Sequence, residues 1–316
     1  MLTSGVSGVR VSFVIPCFNE EIFIGSTIDS INANFFSKEI PYEIIVVDNR
    51  SEDRSALIAI ERGAKVVYSE SNTVSAVRND GCRVATGQIF IFLDADVVID
   101  DNWIEIFLEH MERLIRNNDV VGSHCSVPET IKGPLKEWYF RIENDDRDTH
   151  IGSGHMLIGR KLFFLLEGFN PSLVSGEDYD LCKRAKAEGA ELVVDSRLKA
   201  FHLGYPTTIK EFVRREVWHG LGDVQNFQKF IVSKPAVAAT LLFLLQALAI
   251  ISLLNGMMLS FYFLFLTIVA MIIALIVYKF KVFSVSVISS LILPAYLYLT
   301  GRFGSLLYRL SGKKCF

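Results

Sequence analysis

Between Pro235 and Thr300 only Lys279 and Lys281 carry charge, and every acidic residue of the chain lies before Pro235. A stretch this apolar does not belong to a purely soluble fold. Val237–Leu254 and Leu259–Tyr278 are each long enough to cross a bilayer. Asn255-Gly256 between them makes a tight, uncharged hairpin suited to the far side. Lys279 and Lys281 then fall on the cytosolic side, as the positive-inside tendency asks. Val282–Thr300 offers a third crossing, weakened by Pro294 and several serines, and it would carry Arg302, Arg309, Lys313 and Lys314 outside. Three crossings, or two with a re-entrant or interfacial segment, both fit; length favours three.

The same segregation makes the net charge of −3 an average of unlike parts. Setting aside the six basic residues after Pro235 leaves 26 basic against 35 acidic residues in 1–234, a net of −9. So acidic a body argues against nucleic acid as a partner, and a polyanionic substrate would need a metal or local cations. The five cysteines, Cys17, Cys82, Cys125, Cys182 and Cys315, are odd in number and scattered, which fits a reducing compartment. Val11–Ile15 is too short for a signal-peptide core, so the first domain is expected in the cytosol.

Within that domain, apolar β-rich runs alternate with helical spacing. Val11–Ile15, Glu43–Val47, Ala64–Tyr68 and Gln88–Leu93 predict strands; Glu20–Asn34, Ser51–Gly63, Ser75–Thr86 and Trp103–Asn117 predict helices. This order implies an α/β domain with a mostly parallel sheet, whose ligands bind beyond the carboxyl ends of the strands. Ser123–Gly154 is less regular. Leu162–Glu167 and Leu181–Glu188 predict further helices and Glu191–Val194 a strand. Lys210–Phe230 mixes Phe212, Val217, Trp218 and Phe227 with Lys210, Arg214, Arg215 and Lys229. It suits a membrane-surface helix or an edge helix packed on the sheet.

The chemistry gathers at strand ends. Asp94-Ala-Asp96 follows a continuous apolar strand, so both carboxylates project into one crevice and offer hard oxygens to Mg²⁺ or Mn²⁺. Alone, D-x-D is a common string; the preceding strand and a second acid-ended strand raise its meaning. Asp48 ends that second strand, where its carboxylate can accept the imide N–H of a pyrimidine or cap the next helix. Arg78 offers a guanidinium to a base carbonyl or phosphate, or is a surface arginine. Glu177-Asp178 stands in a loop before a helix and can supply a general base, or simply complement the helix dipole. Ser153 and Gly154 allow close approach of a sugar or acceptor, and His202 is a further metal or phosphate contact or a structural histidine.

Taken in order, Val-Ile-Pro16-Cys-Phe-Asn19-Glu20-Glu21, Ile-Val-Val-Asp48-Asn-Arg-Ser-Glu-Asp53, Arg78-Asn79-Asp80-Gly81, Leu-Asp94-Ala-Asp96, Glu-Gly168-Phe169-Asn170 and Gly-Glu177-Asp178 resemble the family 2 glycosyltransferases. Those enzymes have the nucleotide-sugar-binding GT-A fold, and the resemblance is to their membrane-anchored bacterial form. It runs from Val11 to about Gly222. It implies that Pro16, Glu20, Asp48, Arg78 and Asp94 line the nucleotide pocket, and that Asp96 binds the metal with Asp94 and His202. Asp178, or Glu177, would be the base. His202 and the Phe212–Gly220 segment, with Arg215 and Trp218, resemble the family's closing region, and Ser153 and Gly154 would face the acceptor. Processive members carry Q-x-x-R-W; Arg214-Arg-Glu-Val217-Trp218 lacks the arginine before the tryptophan, which favours transfer of a single sugar. His155 stands where many relatives have Asn.

The organisation expected is a GT-A domain over 1–205, an amphipathic juxtamembrane segment over 206–235, two or three transmembrane helices over 236–300 and a basic tail over 301–316. The function expected is inverting, metal-dependent transfer from a nucleotide sugar, UDP-linked, to a lipid-linked acceptor at the bilayer of the bacterial inner membrane, in cell-surface glycan synthesis. Polyprenyl phosphate itself is an alternative acceptor. A non-catalytic sugar-nucleotide sensor and a nucleotidyltransferase are rivals; the first need not keep a base, and the second usually opens with a glycine-rich loop absent after Ile15.

Overall fold

The computed structural model describes residues 10–36, 38, 40–127, 133–143 and 150–311. The first nine residues, parts of the irregular Ser123–Gly154 stretch, and Lys313, Lys314 and Cys315 of the tail lie outside them. The chain divides into two compact units. One comprises Met1–Pro128 and Asp146–Tyr205, the other Glu129–Asp145 and Pro206–Phe316.

The first unit begins β1 (Val11–Cys17), α1 (Ile24–Phe35), β2 (Tyr42–Asp48), α2 (Ser55–Glu61), β3 (Lys65–Tyr68), α3 (Val74–Val84) and β4 (Ile89–Leu93). It goes on through β5 (Val97–Ile99), α4 (Trp103–Glu112) with a π-helical end over Arg113–Asn117, β6 (Val120–Gly122) and β7 (Cys125–Ser126). After α5 (Pro134–Glu143), which groups with the second unit although the sequence places it inside the first domain, the first unit resumes. It closes with β8 (His155–Gly159), α6 (Arg160–Leu165), α7 (Glu177–Ala187), β9 (Leu192–Val194) and β10 (Ala200–His202).

Seven strands form one sheet in the order β3-β2-β1-β4-β8-β6-β9. All pairs are parallel except those of β8, which runs antiparallel to β4 and β6. Chain order reverses between β1 and β4, so the strand ends splay there and leave a crevice. Pairing of β1 with β4 ends at Val14↔Phe92, yet β1 continues through Pro16 to Cys17 beside β2. The splayed end tolerates a residue without an N–H. Alternation sends Phe13, Ile15, Ile91 and Leu93 to one apolar layer, with α1 and α4. Val14, Ile45, Val47, Phe90 and Phe92 face the other, with Phe163, Phe169 and Leu181. Gly81 belongs to this packing, because a Cβ there would lie 2.6 Å from Val14 Cγ1 and 2.7 Å from Val47 Cγ2. A small sheet, β5-β10-β7, has no counterpart in the sequence reading.

The second unit contains α5, α8 (Ile209–Gly220), α9 (Phe227–Val232), α10 (Lys234–Leu254), α11 (Met258–Phe280) and α12 (Val285–Leu310). Thr208 and Glu211 form a reciprocal capping box that starts α8. The last three helices are long and apolar enough to cross a membrane, with mean hydropathies of 2.5, 2.7 and 1.2. Helix α12 runs ten residues beyond Thr300, with Pro294 inside it.

Candidate active site

The Asp94-Ala-Asp96 turn links β4 to β5 and is fixed from both sides. Thr27 Oγ1 on α1 donates to the Ala95 carbonyl at 2.7 Å, and Asp94 N–H donates to the Gly154 carbonyl at 3.2 Å. Strand β10 pairs antiparallel with β5 in the register His202↔Val97, which brings His202 beside Asp96, Nδ1 to Oδ2 3.3 Å. One ligand atom each from Asp94, Asp96 and His202 lies within 4.8 Å of the others. Two hard oxygens and one imidazole nitrogen in a half-buried cleft fit a divalent cation. Two glycines make the approach possible. A Cβ on Gly154 would lie 2.6 Å from Asp94 Oδ2, and one on Gly204 would lie 2.0 Å from Asp96 Oδ2. Gly204 was not anticipated, and no local pattern marks it.

Arg78 lies beneath these acids, 3% exposed. Its Nη2 donates to Asp94 Oδ1 at 2.6 Å and its Nη1 to Glu177 Oε1 at 2.9 Å. Burial alone would lower its pKa, but the Asp94 and Glu177 carboxylates outweigh that and push it up. The alternative of a surface arginine gives way, because Arg78 is buried with both Nη groups on carboxylates. Asn79 fastens the same turn of α3. Its amide donates to the Phe169 carbonyl at 2.7 Å and accepts the Phe169 N–H at 3.0 Å, which explains the Gly168-Phe169 motif.

Glu177 and Asp178 are not in a loop. They open α7, which Gly176 enters in the left-handed conformation at φ +77°, and three acids in that first turn suit the positive end of the helix dipole. The two differ in setting. Glu177 is buried, and Ser153 Oγ donates to its Oε1 at 3.0 Å; burial raises its pKa, against the pull of Arg78. Asp178 is half-buried, with Oδ2 3.9 Å from His150 Nε2 and the same distance from the Cβ a residue at Gly152 would have. Ser153 and Gly154, expected at the acceptor, lie against Glu177 and Asp94. Arg215 and Trp218 lie on α8 in the second unit, where Arg215 Cζ stands 6.0 Å from the Tyr139 ring centroid.

On the other side of the crevice, Asp48 ends β2. It is 3% exposed; Ser51 N–H donates to its Oδ2 at 3.3 Å, while Oδ1 has no hydrogen-bond partner among the described residues. A buried carboxylate oxygen without a donor costs free energy until a ligand supplies one. The β1–α1 and β2–α2 loops are laced together around it: Asn19 N–H donates to Ser51 Oγ, Glu20 N–H to Ser55 Oγ and Glu21 N–H to Asp53 Oδ2. Pro16 is half-buried near the end of β1. Burial, then Asp94 and Asp53, raise the Glu20 pKa to about 7, which marks an excess of negative charge in the cleft.

His155, which departs from the pattern of many relatives, is a core residue. Trp103 Nε1–H donates to its Nε2 at 2.9 Å, so the neutral ring carries its proton on Nδ1, 2.9 Å from Ser123 Oγ. Ser123 in turn donates to the Leu198 carbonyl at 2.5 Å. Burial lowers the His155 pKa to about 4.

An α/β sheet with carboxylates gathered at its switch point places a ligand-binding crevice there. Residues 12–164 match the model of the family described as Glycosyl transferase family 2. Glycosyltransferase AglE of Haloferax volcanii is 26% identical over 247 residues, 74% of this chain and 80% of that protein. Poly(ribitol-phosphate) beta-glucosyltransferase of Bacillus spizizenii is 37% identical over 95 residues, 28% of this chain but only 15% of that longer protein. Among solved structures, the mannosyltransferase PcManGT from Pyrobaculum calidifontis, in complex with GDP-Man and Mn²⁺, shares the fold with a TM-score of 0.59 at 15% identity, over 97% of this chain and 88% of that one. The chain carries a family 2 glycosyltransferase domain of the GT-A fold, and the protein is a glycosyltransferase that uses a nucleotide-sugar donor. The sensor and nucleotidyltransferase rivals are set aside.

Two predictions follow from the geometry. Gly204→Ala displaces the Asp96 carboxylate without removing it, so Mn²⁺ affinity measured by calorimetry falls about 10- to 100-fold; unchanged affinity excludes Asp96 as a ligand. His155 has a folded pKa of about 4 and an unfolded one of 6.5. It therefore binds more protons unfolded, and stability is lost as pH falls from about 6.5 towards 4, by about 3 kcal/mol for this group. In His155→Gln the stability lost between pH 6.5 and 4 should be smaller by about that amount, measured by denaturation at each pH.

Proposed function

We propose that the protein is an inverting, metal-dependent glycosyltransferase that moves one sugar from a UDP-linked donor to a membrane-associated, lipid-linked acceptor. The observation that carries this reading is the gathering of Asp94, Asp96 and His202 at one end of the sheet that also presents the unpartnered Asp48 Oδ1. Asp48 stands two strands from Asp94, about 10 Å by strand spacing. That is the reach from a nucleobase to its diphosphate.

In this reading Asp48 Oδ1 accepts the imide N–H of the pyrimidine, which favours a uridine donor. Asp94, Asp96 and His202 would hold Mg²⁺ or Mn²⁺, whose positive charge stabilises the departing nucleoside diphosphate. PcManGT was solved in complex with GDP-Man and Mn²⁺, and the likeness of its fold is consistent with this use of the cleft. Arg78 fixes Asp94 and Glu177 and offsets their charge from below. Glu177, already engaged by Arg78 and Ser153, is a poor base; Asp178 is the better one, since it is half-buried and opens towards the small side of Gly152. It takes the proton of the acceptor hydroxyl while that oxygen attacks the anomeric carbon from the face opposite the diphosphate. One displacement inverts the configuration and needs no covalent enzyme intermediate. The missing arginine before Trp218 supports single-sugar transfer over polymerisation.

Three apolar helices support a membrane-bound enzyme, placed here in the inner membrane with the catalytic domain in the cytosol. They favour an acceptor that is itself in the bilayer, in the synthesis of a cell-surface glycan.

Nucleoside diphosphate release by the purified protein in detergent, with Mg²⁺ or Mn²⁺ and a panel of sugar nucleotides, tests this function. Asp178→Asn should bind donor as wild type does while turnover falls about 10²- to 10⁴-fold. Wild-type turnover in that variant sinks the base assignment.

A further inference from the structure

Both ends of α12 are tied to elements on one side of the α10–α11 hairpin. Lys234, at the start of α10, donates to the Tyr278 hydroxyl near the end of α11 at 2.8 Å, so these two ends lie together. Val285 follows Phe280 after residues 281–284, a reach of at most about 18 Å. The far half of α12 is zipped along α8. A Cβ on Gly301 would lie 2.4 Å from Glu216 Cβ, one on Gly304 2.8 Å from Val217 Cγ2, and one on Gly220 2.2 Å from Ser305 Oγ. Only small residues allow helices so close. Arg302 reaches Glu216 at 3.2 Å and Asp223 at 3.1 Å, and Arg309 Nη2 donates to the Gln225 carbonyl at 3.1 Å.

Wherever α8 lies, residues 301–309 lie too. Helix α8 carries Lys210, Glu211, Arg214, Arg215 and Glu216, charges that are costly to place at a bilayer centre. The linker from α8 to α10, with Asp223 and Lys229, is neither long nor apolar enough to span. So α8 stays on the side where α10 enters. Tyr298, well into α12, agrees: its ring lies 5.3 Å from Lys279 Nζ, at the same end of the hairpin. The mean hydropathy of α12, 1.2, is half that of α10 or α11.

We propose that α12 does not cross the bilayer. It leans across the near half of the hairpin at the interface, held by α8, with Val285, Ile292 and Leu293 sharing its exposed face with Ser286, Ser289 and Ser290. Leu310 and Ser311 then stand on the side of Lys234, Lys279 and Lys281, and Arg302 and Arg309 stay there as the positive-inside tendency asks. This rests on α10 and α11 forming a membrane hairpin, and the test separates the two claims.

Single cysteines replace Ser284, Ser311 or Asn255 in the full-length protein, in a Cys315→Ser background whose own labelling is the control. Leu310→Cys is the second reporter of the C-terminal end should Ser311→Cys fail to accumulate. Sealed membrane vesicles of one orientation are treated with a membrane-impermeant maleimide before and after permeabilisation. Ser284→Cys and Ser311→Cys are expected to label from the same side and Asn255→Cys from the other. Opposite sides for Ser284→Cys and Ser311→Cys overturn the interfacial placement. Asn255→Cys labelling together with Ser284→Cys removes the hairpin, and the proposal with it.

Discussion

A single buried guanidinium holds the catalytic cleft together. Arg78 joins α3 to the end of β4 through Asp94 and to the start of α7 through Glu177. Without it, Glu20, Asp94, Asp96, Glu177 and Asp178 would be an uncompensated group of acids beside an apolar core. Burying an ion pair is costly, and breaking one by removing a partner typically costs about 3–5 kcal/mol, because a charge is left alone. The surroundings of Arg78 are correspondingly over-determined. Asn79 binds both the N–H and the carbonyl of Phe169, and Gly81 lets α3 settle onto Val14 and Val47. The Arg-Asn-Asp-Gly string is thus one device: Arg78 compensates charge, Asn79 and Gly81 fix the helix, and Asp80 accepts the hydroxyls of Ser69 and Ser71.

Compensation is incomplete by design of the chemistry. Burial, and after it the nearby Asp94 and Asp53, push the Glu20 carboxyl up to about 7, an environment that a bound cation would relieve. Asp48 shows the same logic for hydrogen bonding, with one buried oxygen left for a donor from outside. In the proposed reading, a metal-bound uridine nucleotide would supply both the cation and the N–H.

Much of this was legible in the sequence where the signal is local. Continuous apolar runs ending in acids gave β2 and β4 and their carboxylates, because a strand buried on both faces leaves no other register. The partners of Arg78 were not legible. Asp94 is 16 residues away and Glu177 99 residues away, and only the fold unites them. The start of α7 was misplaced because Gly176 enters it through a left-handed turn that no periodicity announces. Strands β5, β7 and β10 are two or three residues long, too short to show alternation, so the register that brings His202 to Asp96 was invisible, as was Gly204. In the second unit, hydropathy announced two long helices and a weaker third, but not the glycine contacts by which α12 follows α8.

A crystal of the protein soaked with Mn²⁺ and a uridine diphosphate sugar provides the most direct measurement. The account predicts one anomalous manganese peak coordinated by Asp94 and Asp96 next to His202, with the diphosphate on it and the uracil imide against Asp48 Oδ1. A peak elsewhere, or a base seated away from Asp48, would contradict it.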